Sequence, residues 1–206
     1  MIAIINYGAG NLCSVEKAFT YLGYRAFVTS DPKIVSEADR VVLPGVGAFG
    51  KSMERLEQAG MIPVVKEIIA SGRPFLGICL GLQMLFQESA EVFGEMTAKA
   101  KGLGIFRGEA LRFETTRFKV PQIGWNRIKI SKESPIFHGI KDGSFFYFVH
   151  SYYVKPAVTE LVACTTEYDI EYCSGISRGN IHAFQFHPEK SGQVGLKLLK
   201  NFAELN

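Results

Sequence analysis

The first half of the chain alternates short apolar runs with longer segments of helical periodicity. Each apolar run has the length of a buried strand, and the segments between the runs carry apolar residues at every third or fourth position. Strands that alternate with helices predict a parallel sheet with helices on both faces. The predicted strands cover residues 2–5, 24–28, 40–43 and 74–78, and the predicted helices cover residues 11–22, 50–58, 62–70 and 80–87.

The second half is dominated by apolar and aromatic runs separated by turn signals such as Asp142-Gly143 and Arg178-Gly179-Asn180. This pattern favours antiparallel pairing, and a helix over residues 193–205 closes the chain. We find no repeat or linker and therefore expect an α/β fold in one domain, residues 1–206, with an open, mostly parallel sheet flanked by helices and an added antiparallel sheet. The predicted strands cover residues 106–113, 125–130, 145–153, 161–165, 172–177 and 181–186.

Composition narrows the class of protein. Hydrophobic residues make up 47% and charged residues 21% of the 206 residues, enough apolar material for a core without disulfide or metal support. The net charge is +3 and the basic residues form no block, so we expect no nucleic-acid or membrane partner. No apolar run reaches the ~18 residues of a membrane span, and residues 1–6 do not read as a signal peptide. A cytoplasmic protein is the expectation.

Cysteines stand at positions 13, 79, 164 and 173 without a C-x-x-C pair, so neither a zinc site nor a redox pair is predicted, and we expect no metal or cofactor. Cys79 differs from the others because it lies in Gly77-Ile78-Cys79-Leu80-Gly81, between a predicted strand and a predicted helix. This is the nucleophile-elbow pattern G-x-S-x-G with Cys in place of Ser. The other three cysteines fit the ordinary role of a small buried hydrophobe.

A cysteine nucleophile needs a base, and the base needs a group that orients it. His187 and Glu189 follow a predicted strand and are two residues apart, so on extended backbone their side chains point to the same side. We predict a triad of Cys79, His187 and Glu189. The other histidines are weaker candidates: His138 fits a loop, and His182 lies inside a strand pattern.

A second motif offers a different function. Gly45-Val46-Gly47-Ala48-Phe49-Gly50-Lys51-Ser52 matches the phosphate-binding P-loop pattern in full. However, Pro44 precedes it, Phe49 is bulky where phosphate would be wrapped, and no apolar strand ends in the Asp of a magnesium site. The alternative role of this loop is to supply the amide of Val46 or Gly47 to an oxyanion hole, with the amide of Leu80 as the other donor.

The combination of motifs resembles the triad-type, or class I, glutamine amidotransferases. The resemblance covers essentially the whole chain and rests on residues 44–47, 77–83 and 185–189. It implies that Cys79 attacks the carboxamide of L-glutamine, that His187 protonates the leaving ammonia, and that a thioester is then hydrolysed. It also implies a set of glutamine-binding residues: Gly45, Gln83, Glu91, His150, Ser151 and Tyr152.

Further segments resemble the glutaminase subunits of imidazole glycerol phosphate synthases, within that family. These are residues 6–12, 124–126, 147–152 and 189–191. The resemblance implies a heterodimer with a (β/α)₈ barrel subunit that uses the ammonia to make imidazole glycerol phosphate and an aminoimidazole carboxamide ribotide. It also implies an oxyanion loop that is often unformed until the partner is loaded. The implied interface residues are Asn11, Trp125, Tyr147 and Lys190.

One position departs from this pattern. The family usually places a His before the Gly-Trp-Asn segment, and this chain has Gln122 there, two residues before Gly124. Relatives with the same glutaminase chemistry serve amidation in surface-polysaccharide or sugar pathways, so a sugar-amidating synthase is the alternative partner.

Overall fold

The computed structural model describes residues 1–8, 11–91 and 99–205. Its helices lie close to the predicted segments, with one short addition, α2. None of the helices in these residues is both long and apolar enough to cross a membrane. The helices are α1 (Leu12–Tyr21), α2 (Pro32–Ser36), α3 (Phe49–Gln58), α4 (Met61–Ala70), α5 (Leu80–Gln83) and α6 (Gly192–Ala203).

The strands of the first half of the chain are short and follow the predicted alternation. Those of the second half are longer and more closely spaced. In chain order they are β1 (Ile2–Ile5), β2 (Ala26–Thr29), β3 (Arg40–Gly45), β4 (Phe75–Cys79), β5 (Phe86–Ser89), β6 (Ala100–Lys101), β7 (Phe106–Arg112), β8 (Gln122–Arg127), β9 (Lys129–Ile130), β10 (Phe145–His150), β11 (Tyr152–Pro156), β12 (Val162–Tyr168), β13 (Ile170–Arg178) and β14 (Ile181–Phe184).

One large sheet runs through the protein in the order β2-β1-β3-β4-β14-β13-β11-β7-β5-β6. The strands from β2 to β14 are parallel to one another. From β13 onward the pairing is mainly antiparallel, β12 and β9 continue from β13, and β8 and β10 form a separate antiparallel pair. The α/β class, the parallel sheet and the antiparallel addition are confirmed. The antiparallel strands largely extend the parallel sheet.

The two faces of the parallel sheet are covered by different helices because side chains alternate along each strand. On one face, β1 contributes Ala3 and Ile5 to a core that includes Leu56 of α3. On the other face, Ile2 and Ile4 pack in a core with Phe19 of α1 and residues of α6. Helices on both faces leave the strand ends as the accessible edges of the parallel sheet.

Residues 80–87 do not form one helix as predicted. The helix ends at Gln83, and Phe86 begins β5, where it pairs with Phe106 of β7 at a ring-centroid distance of 6.0 Å. Burial of Phe86 against β7 overrides the local helical periodicity. That periodicity depends only on neighbouring residues and cannot indicate a strand partner that lies much later in the sequence. Residues 145–153 likewise divide into β10 and β11, which belong to different sheets.

The contact between β3 and α5 requires a glycine. A Cβ atom added to Gly81 would lie 1.9 Å from the Leu43 carbonyl oxygen, and that oxygen is backbone of a buried strand. Gly81 therefore allows the helix after Cys79 to lie directly against the neighbouring strand. This approach fixes the position of the turn that carries the cysteine.

We predict that Gly81→Ala lowers the free energy of unfolding by about 3 kcal/mol, the upper end for overpacked sites, because the backbone must move to admit the methyl group. Gly72→Ala is the control. Its φ of +79° penalises a side chain, but its added Cβ meets no atom within 4 Å, so we expect a loss of only about 1 kcal/mol. Urea unfolding followed by circular dichroism measures both. Equal losses would contradict the close approach.

Candidate active site

Cys79 occupies a sharp turn between β4 and α5. Its φ of +55° and ψ of −109° lie outside the regions that residues with a side chain ordinarily adopt. Such strain persists only where the surrounding structure enforces it, and it concentrates at functional sites. The side chain is 6% exposed. This is the geometry expected of a nucleophile elbow.

His187 is held from three directions. Its Nδ1 lies 2.8 Å from Oε1 of Glu189, and its backbone N–H donates to the Tyr147 carbonyl oxygen at 2.9 Å. Ser191 donates through its hydroxyl to the His187 carbonyl oxygen at 2.6 Å. The side chains of His187 and Glu189 are each 2% exposed. The ring therefore has a fixed orientation, with Nδ1 committed to the carboxylate.

The other ring nitrogen, Nε2 of His187, is buried and has no hydrogen-bond partner among the described residues. Burial lowers the pKa of His187, while the charge on Cys79, and then the hydrogen bond and charge of Glu189, raise it. The raising influences prevail, so the pKa of His187 lies well above its ordinary value. An imidazolium beside the sulfur favours the thiolate over the thiol.

A cavity of about 330 Å³ opens beside Cys79 and His187. It gathers residues from distant parts of the chain, and most of the predicted site residues line it. Gly45 stands behind the wall, paired with Cys79 in the register of β3 and β4, and Glu189 stands behind His187. The residues that line the cavity are Val46, Gly47, Cys79, Leu80, Gln83, Glu91, Pro121, Val149, His150, Ser151, Tyr152, His187 and Lys190.

Gln83 connects to the cysteine through a residue that the sequence analysis missed. The Gln83 side-chain amide donates to the Tyr152 carbonyl oxygen at 3.0 Å and to Oε1 of Gln185 at 3.1 Å. The Gln185 amide in turn donates to Sγ of Cys79 at 3.6 Å. Gln185 is fully buried on the segment after β14. Gln185 belongs to the resemblance segment 185–189, but no role was predicted for it.

Glu91 has a structural partner as well as a place in the cavity wall. Its Oε2 accepts the backbone N–H of Phe49, the first residue of α3, at 2.6 Å. The carboxylate therefore occupies the helix terminus where a P-loop would place phosphate. In addition, Ser52, the residue that would ligate magnesium in a P-loop, is 3% exposed. The geometry opposes the nucleotide-binding alternative.

Tyr7 lies in the resemblance segment 6–12, but no role was predicted for it. Its buried hydroxyl donates to the Pro44 carbonyl oxygen at 3.0 Å, and it anchors the start of the loop that contains Val46 and Gly47. Gly47 has a φ of +94°, a conformation that favours glycine. Of the resemblance segment 6–12, residues 9 and 10 lie outside the described residues.

Behind the cavity, His150 belongs to a buried polar network. Its Nδ1 lies 2.8 Å from the Tyr152 carbonyl oxygen and its Nε2 lies 3.2 Å from the Tyr172 hydroxyl. The Tyr172 hydroxyl oxygen also lies 2.9 Å from the side-chain amide of Gln122. Burial lowers the pKa of His150 to about 3, so the ring is neutral at physiological pH. Both ring nitrogens thus have partners within the protein, and Gln122, the departure from the family pattern, belongs to the same network.

Comparison with known proteins decides the family. The model of the class-I glutamine amidotransferases matches residues 3–205. The chain belongs to the class I glutamine amidotransferase family. A relative from Syntrophotalea carbinolica, named imidazole glycerol phosphate synthase subunit HisH, is 50% identical and aligns over 100% of both chains. A relative of the same name from Geobacter metallireducens is 50% identical over 98% of this chain and 97% of its own.

Solved structures agree on the fold of this amidotransferase. A glutamine amidotransferase crystal structure superposes with a TM-score of 0.74 at 15% identity, over 99% of this chain and 98% of that one. The structure of PurLQS from Thermotoga maritima gives a TM-score of 0.75 at 16% identity, over 98% of this chain and 96% of that one. At this identity the likeness shows the fold alone.

The outer face of β8 and β10 carries an apolar patch, which we name the docking face. It is formed by Ile123 and Trp125 of β8 and by Phe145 and Tyr147 of β10. Ile123 is 63% exposed, Trp125 53% and Phe145 46%. Trp125 and Tyr147 are cross-strand partners whose rings meet edge to face at a centroid distance of 6.1 Å. Exposed apolar side chains in contact with one another mark interaction surfaces more than isolated ones do.

The other two predicted interface residues lie near this face. Lys190 places its ammonium 6.0 Å from the centre of the Tyr147 ring and also lines the cavity. Asn11 precedes α1, the helix that packs against the turn Pro188–Lys190. Lys190 thus stands between the docking face and the cavity, which makes the two neighbouring surfaces.

In Cys79→Ala we expect the pKa of His187 to fall, because the variant loses the charge that raises it while the burial that lowers it remains. The ring would then lose its proton at lower pH. An NMR titration of ¹³C-labelled histidine measures this, with the His187 signal assigned by its absence in His187→Gln. Cys13→Ala, which alters an exposed thiol on α1, should leave the titration unchanged. An unaltered His187 pKa in Cys79→Ala would contradict the pairing.

Proposed function

We propose that residues 1–206 form one glutaminase domain that hydrolyses L-glutamine to glutamate and ammonia and delivers the ammonia to a (β/α)₈ barrel synthase. The synthase makes imidazole glycerol phosphate and an aminoimidazole carboxamide ribotide in histidine biosynthesis. The observation that carries the proposal is the bond of His187 Nδ1 to Glu189, which leaves a buried Nε2 without a hydrogen-bond partner among the described residues, on an imidazole whose pKa is raised by the charge on Cys79.

The catalytic sequence assigns one role to each triad residue. The Cys79 thiolate attacks the carboxamide carbon of glutamine and forms a tetrahedral intermediate. The His187 imidazolium gives its proton to the nitrogen and the C–N bond breaks. Ammonia departs, and a γ-glutamyl thioester remains on Cys79. His187, now neutral, takes a proton from water as the water attacks the thioester, and glutamate and the thiolate are released. Glu189 keeps the ring oriented and stabilises its charged form.

The oxyanion of each tetrahedral intermediate needs hydrogen-bond donors that are already in place. Leu80 follows the nucleophile and its backbone N–H begins α5, so it supplies one donor. Val46 or Gly47, across the cavity wall, supplies the other. The positive φ of Gly47 shows that the loop adopts a backbone conformation few other residues accept.

The cavity suits a small amino acid with a charged head group. Glu91 lines the cavity with a carboxylate that attracts the α-ammonium group of glutamine. Lys190, also in the wall, attracts the α-carboxylate. Gln83 and the backbone of residues 150–152 complete the binding surface. The volume of about 330 Å³ accommodates one glutamine and no macromolecule.

The partner assignment rests on the docking face and on the relatives. The face exposes apolar side chains next to the site where ammonia is released. A protein partner that covers it would keep ammonia out of bulk water, where it would be protonated and lose its nucleophilicity. Relatives 50% identical along their whole length carry the name of the imidazole glycerol phosphate synthase subunit, which favours this synthase over a sugar-amidating one. We expect glutaminase activity to be weak alone and to rise in the complex.

The triad is tested by substitution and by labelling. We expect Cys79→Ala and His187→Gln to reduce glutamate release by the synthase complex by about 10³-fold or more, because each removes a group that acts in the chemical step. An electrophilic glutamine analogue should label Cys79 and leave the exposed Cys13 unmodified, as mapped by peptide mass spectrometry. Labelling of Cys13 at an equal rate would point to general thiol reactivity. Unreduced turnover in Cys79→Ala would overturn the proposal.

The docking face is tested by partner affinity. Trp125→Ala removes an exposed aromatic ring at the centre of the face, and we expect it to weaken binding to the barrel subunit by about 2 kcal/mol, roughly 30-fold. Isothermal titration calorimetry measures the dissociation constant. Tyr21→Ala is the control because Tyr21 is a 74% exposed aromatic residue on α1, and its affinity should be unchanged. Equal effects of the two substitutions would place the interface elsewhere.

A further inference from the structure

A continuous line of hydrogen-bonded side-chain amides reaches the sulfur of Cys79. The line begins at the Tyr152 carbonyl oxygen and passes through the amides of Gln83 and Gln185. Gln83 is 4% exposed and Gln185 is fully buried. Buried amides in such a line are costly unless their donors and acceptors match, so the direction of each amide is determined by its neighbours.

The direction follows from the first member. A backbone carbonyl oxygen can only accept, so the Gln83 atom that faces the Tyr152 oxygen is the NH₂ nitrogen. The same nitrogen faces Gln185, so the Gln185 atom opposite it is the carbonyl oxygen. The NH₂ group of Gln185 is then the atom that lies 3.6 Å from Sγ of Cys79. The fixed backbone carbonyl therefore aims an N–H donor at the nucleophile.

We propose that Gln185 is a catalytic residue, which stabilises the Cys79 thiolate by hydrogen bonding to the sulfur, and that Gln83 is a positioning residue that fixes the direction of the Gln185 amide. The proposal rests on the proposed glutaminase function of the same site. No proton is transferred between Gln185 and the sulfur. The amide stabilises the anion both before the attack and when the thiolate leaves the thioester.

The neutral amide of Gln185 adds to the stabilisation of the Cys79 thiolate that the charged His187 provides. In the cycle, His187 gives its proton to the leaving nitrogen, which departs as ammonia, so its own stabilising charge is absent from the site just after the thioester forms. The Gln185 amide cannot lose a proton at physiological pH, and it remains a donor to the sulfur throughout. Hydrogen bonds to a charged group are stronger than those to a neutral one, so the amide favours the thiolate over the thiol.

Other titratable groups also face the sulfur and enter any pH measurement. His187 lies on one side with Glu189 behind it. On the side of β1, Tyr7 has a pKa raised by burial, with a smaller contribution from the charge on Cys79. The Val149 carbonyl oxygen, which is not titratable, accepts from the Cys79 thiol at 3.9 Å and so favours its protonated form. Tyr7 stays neutral over the accessible pH range, and Glu91 and Lys190, which also line the cavity, are the same in every variant. The titration of His187 is therefore the control that the comparison needs.

The experiment measures the reactivity of Cys79 without glutamine. The isolated full chain is treated with iodoacetamide from pH 5 to 10, and the alkylation rate of the Cys79 peptide is followed by mass spectrometry. The exposed Cys13 is the internal reference. In Gln185→Met, which keeps the length of the side chain and removes the donor, we expect the pH midpoint of the Cys79 rate to rise by about one pH unit, a tenfold change in the ionisation constant.

Matched variants separate this effect from a loss of structure. Gln58→Met changes an exposed glutamine on α3 and should leave the midpoint unchanged. Gln83→Met should raise the midpoint in the same direction, and the double variant should rise no further than Gln185→Met alone, because both act through one donor. If Gln185→Met fails to fold, the Gln83→Met shift decides the question.

Different results would overturn the role of the two amides and the proposed glutaminase function. An unchanged pH midpoint of the Cys79 alkylation rate in folded Gln185→Met overturns the role of the amides. If Gln185→Met does not fold, an unchanged midpoint in Gln83→Met does the same. Either result holds even if the unsubstituted complex hydrolyses glutamine. A raised midpoint supports the role, and a synthase complex without glutaminase activity would overturn only the proposed function. In the Cys79→Ala background, where the thiolate is absent, the NMR titration of His187 should be the same with and without Gln185→Met, because a shift there would show that the substitution acts through the histidine and would overturn the proposal.

Discussion

The whole site depends on the sharp backbone turn at Cys79. The turn holds a non-glycine residue at positive φ, and it does so because the helix that follows it lies against the neighbouring strand, with Gly81 beneath the Leu43 carbonyl. Without that contact the strand would run on or relax, and the sulfur would turn into the core like the other buried thiols of this protein. Close packing of backbone on backbone thus provides the energy that exposes a nucleophile.

Around this turn the protein surrounds the sulfur with one charged partner and with neutral polar groups. His187 carries the positive charge, and Glu189, itself buried, compensates for it. Gln185 and Gln83 add donors whose direction is set by a backbone carbonyl. Most of these polar atoms are held by another buried group, and Nε2 of His187 is an exception among the described residues. Such preorganisation lowers the cost of developing charge in a reaction.

The fold class, the alternation of strands and helices in the first half of the chain, and the triad candidates could be predicted from the sequence because their signals are local. A glycine-flanked cysteine between a strand and a helix, and a histidine two residues from a glutamate, are visible without any tertiary contact. The role of Gln185 could not be predicted, since it depends on a contact with Cys79 across more than a hundred residues. Phe86 was assigned to a helix for the same reason: its strand partner, Phe106, lies beyond the local pattern.

The backbone bond between His187 and Tyr147 has a consequence for how the two subunits of such an enzyme communicate. β10 turns its Tyr147 ring outward to the docking face, and through the carbonyl of the same residue it holds the amide of the base. The ring on the docking face and the carbonyl oxygen that accepts the backbone N–H of His187 therefore belong to the same residue, Tyr147. A displacement of β10 that moves this carbonyl would therefore act directly on the backbone of His187.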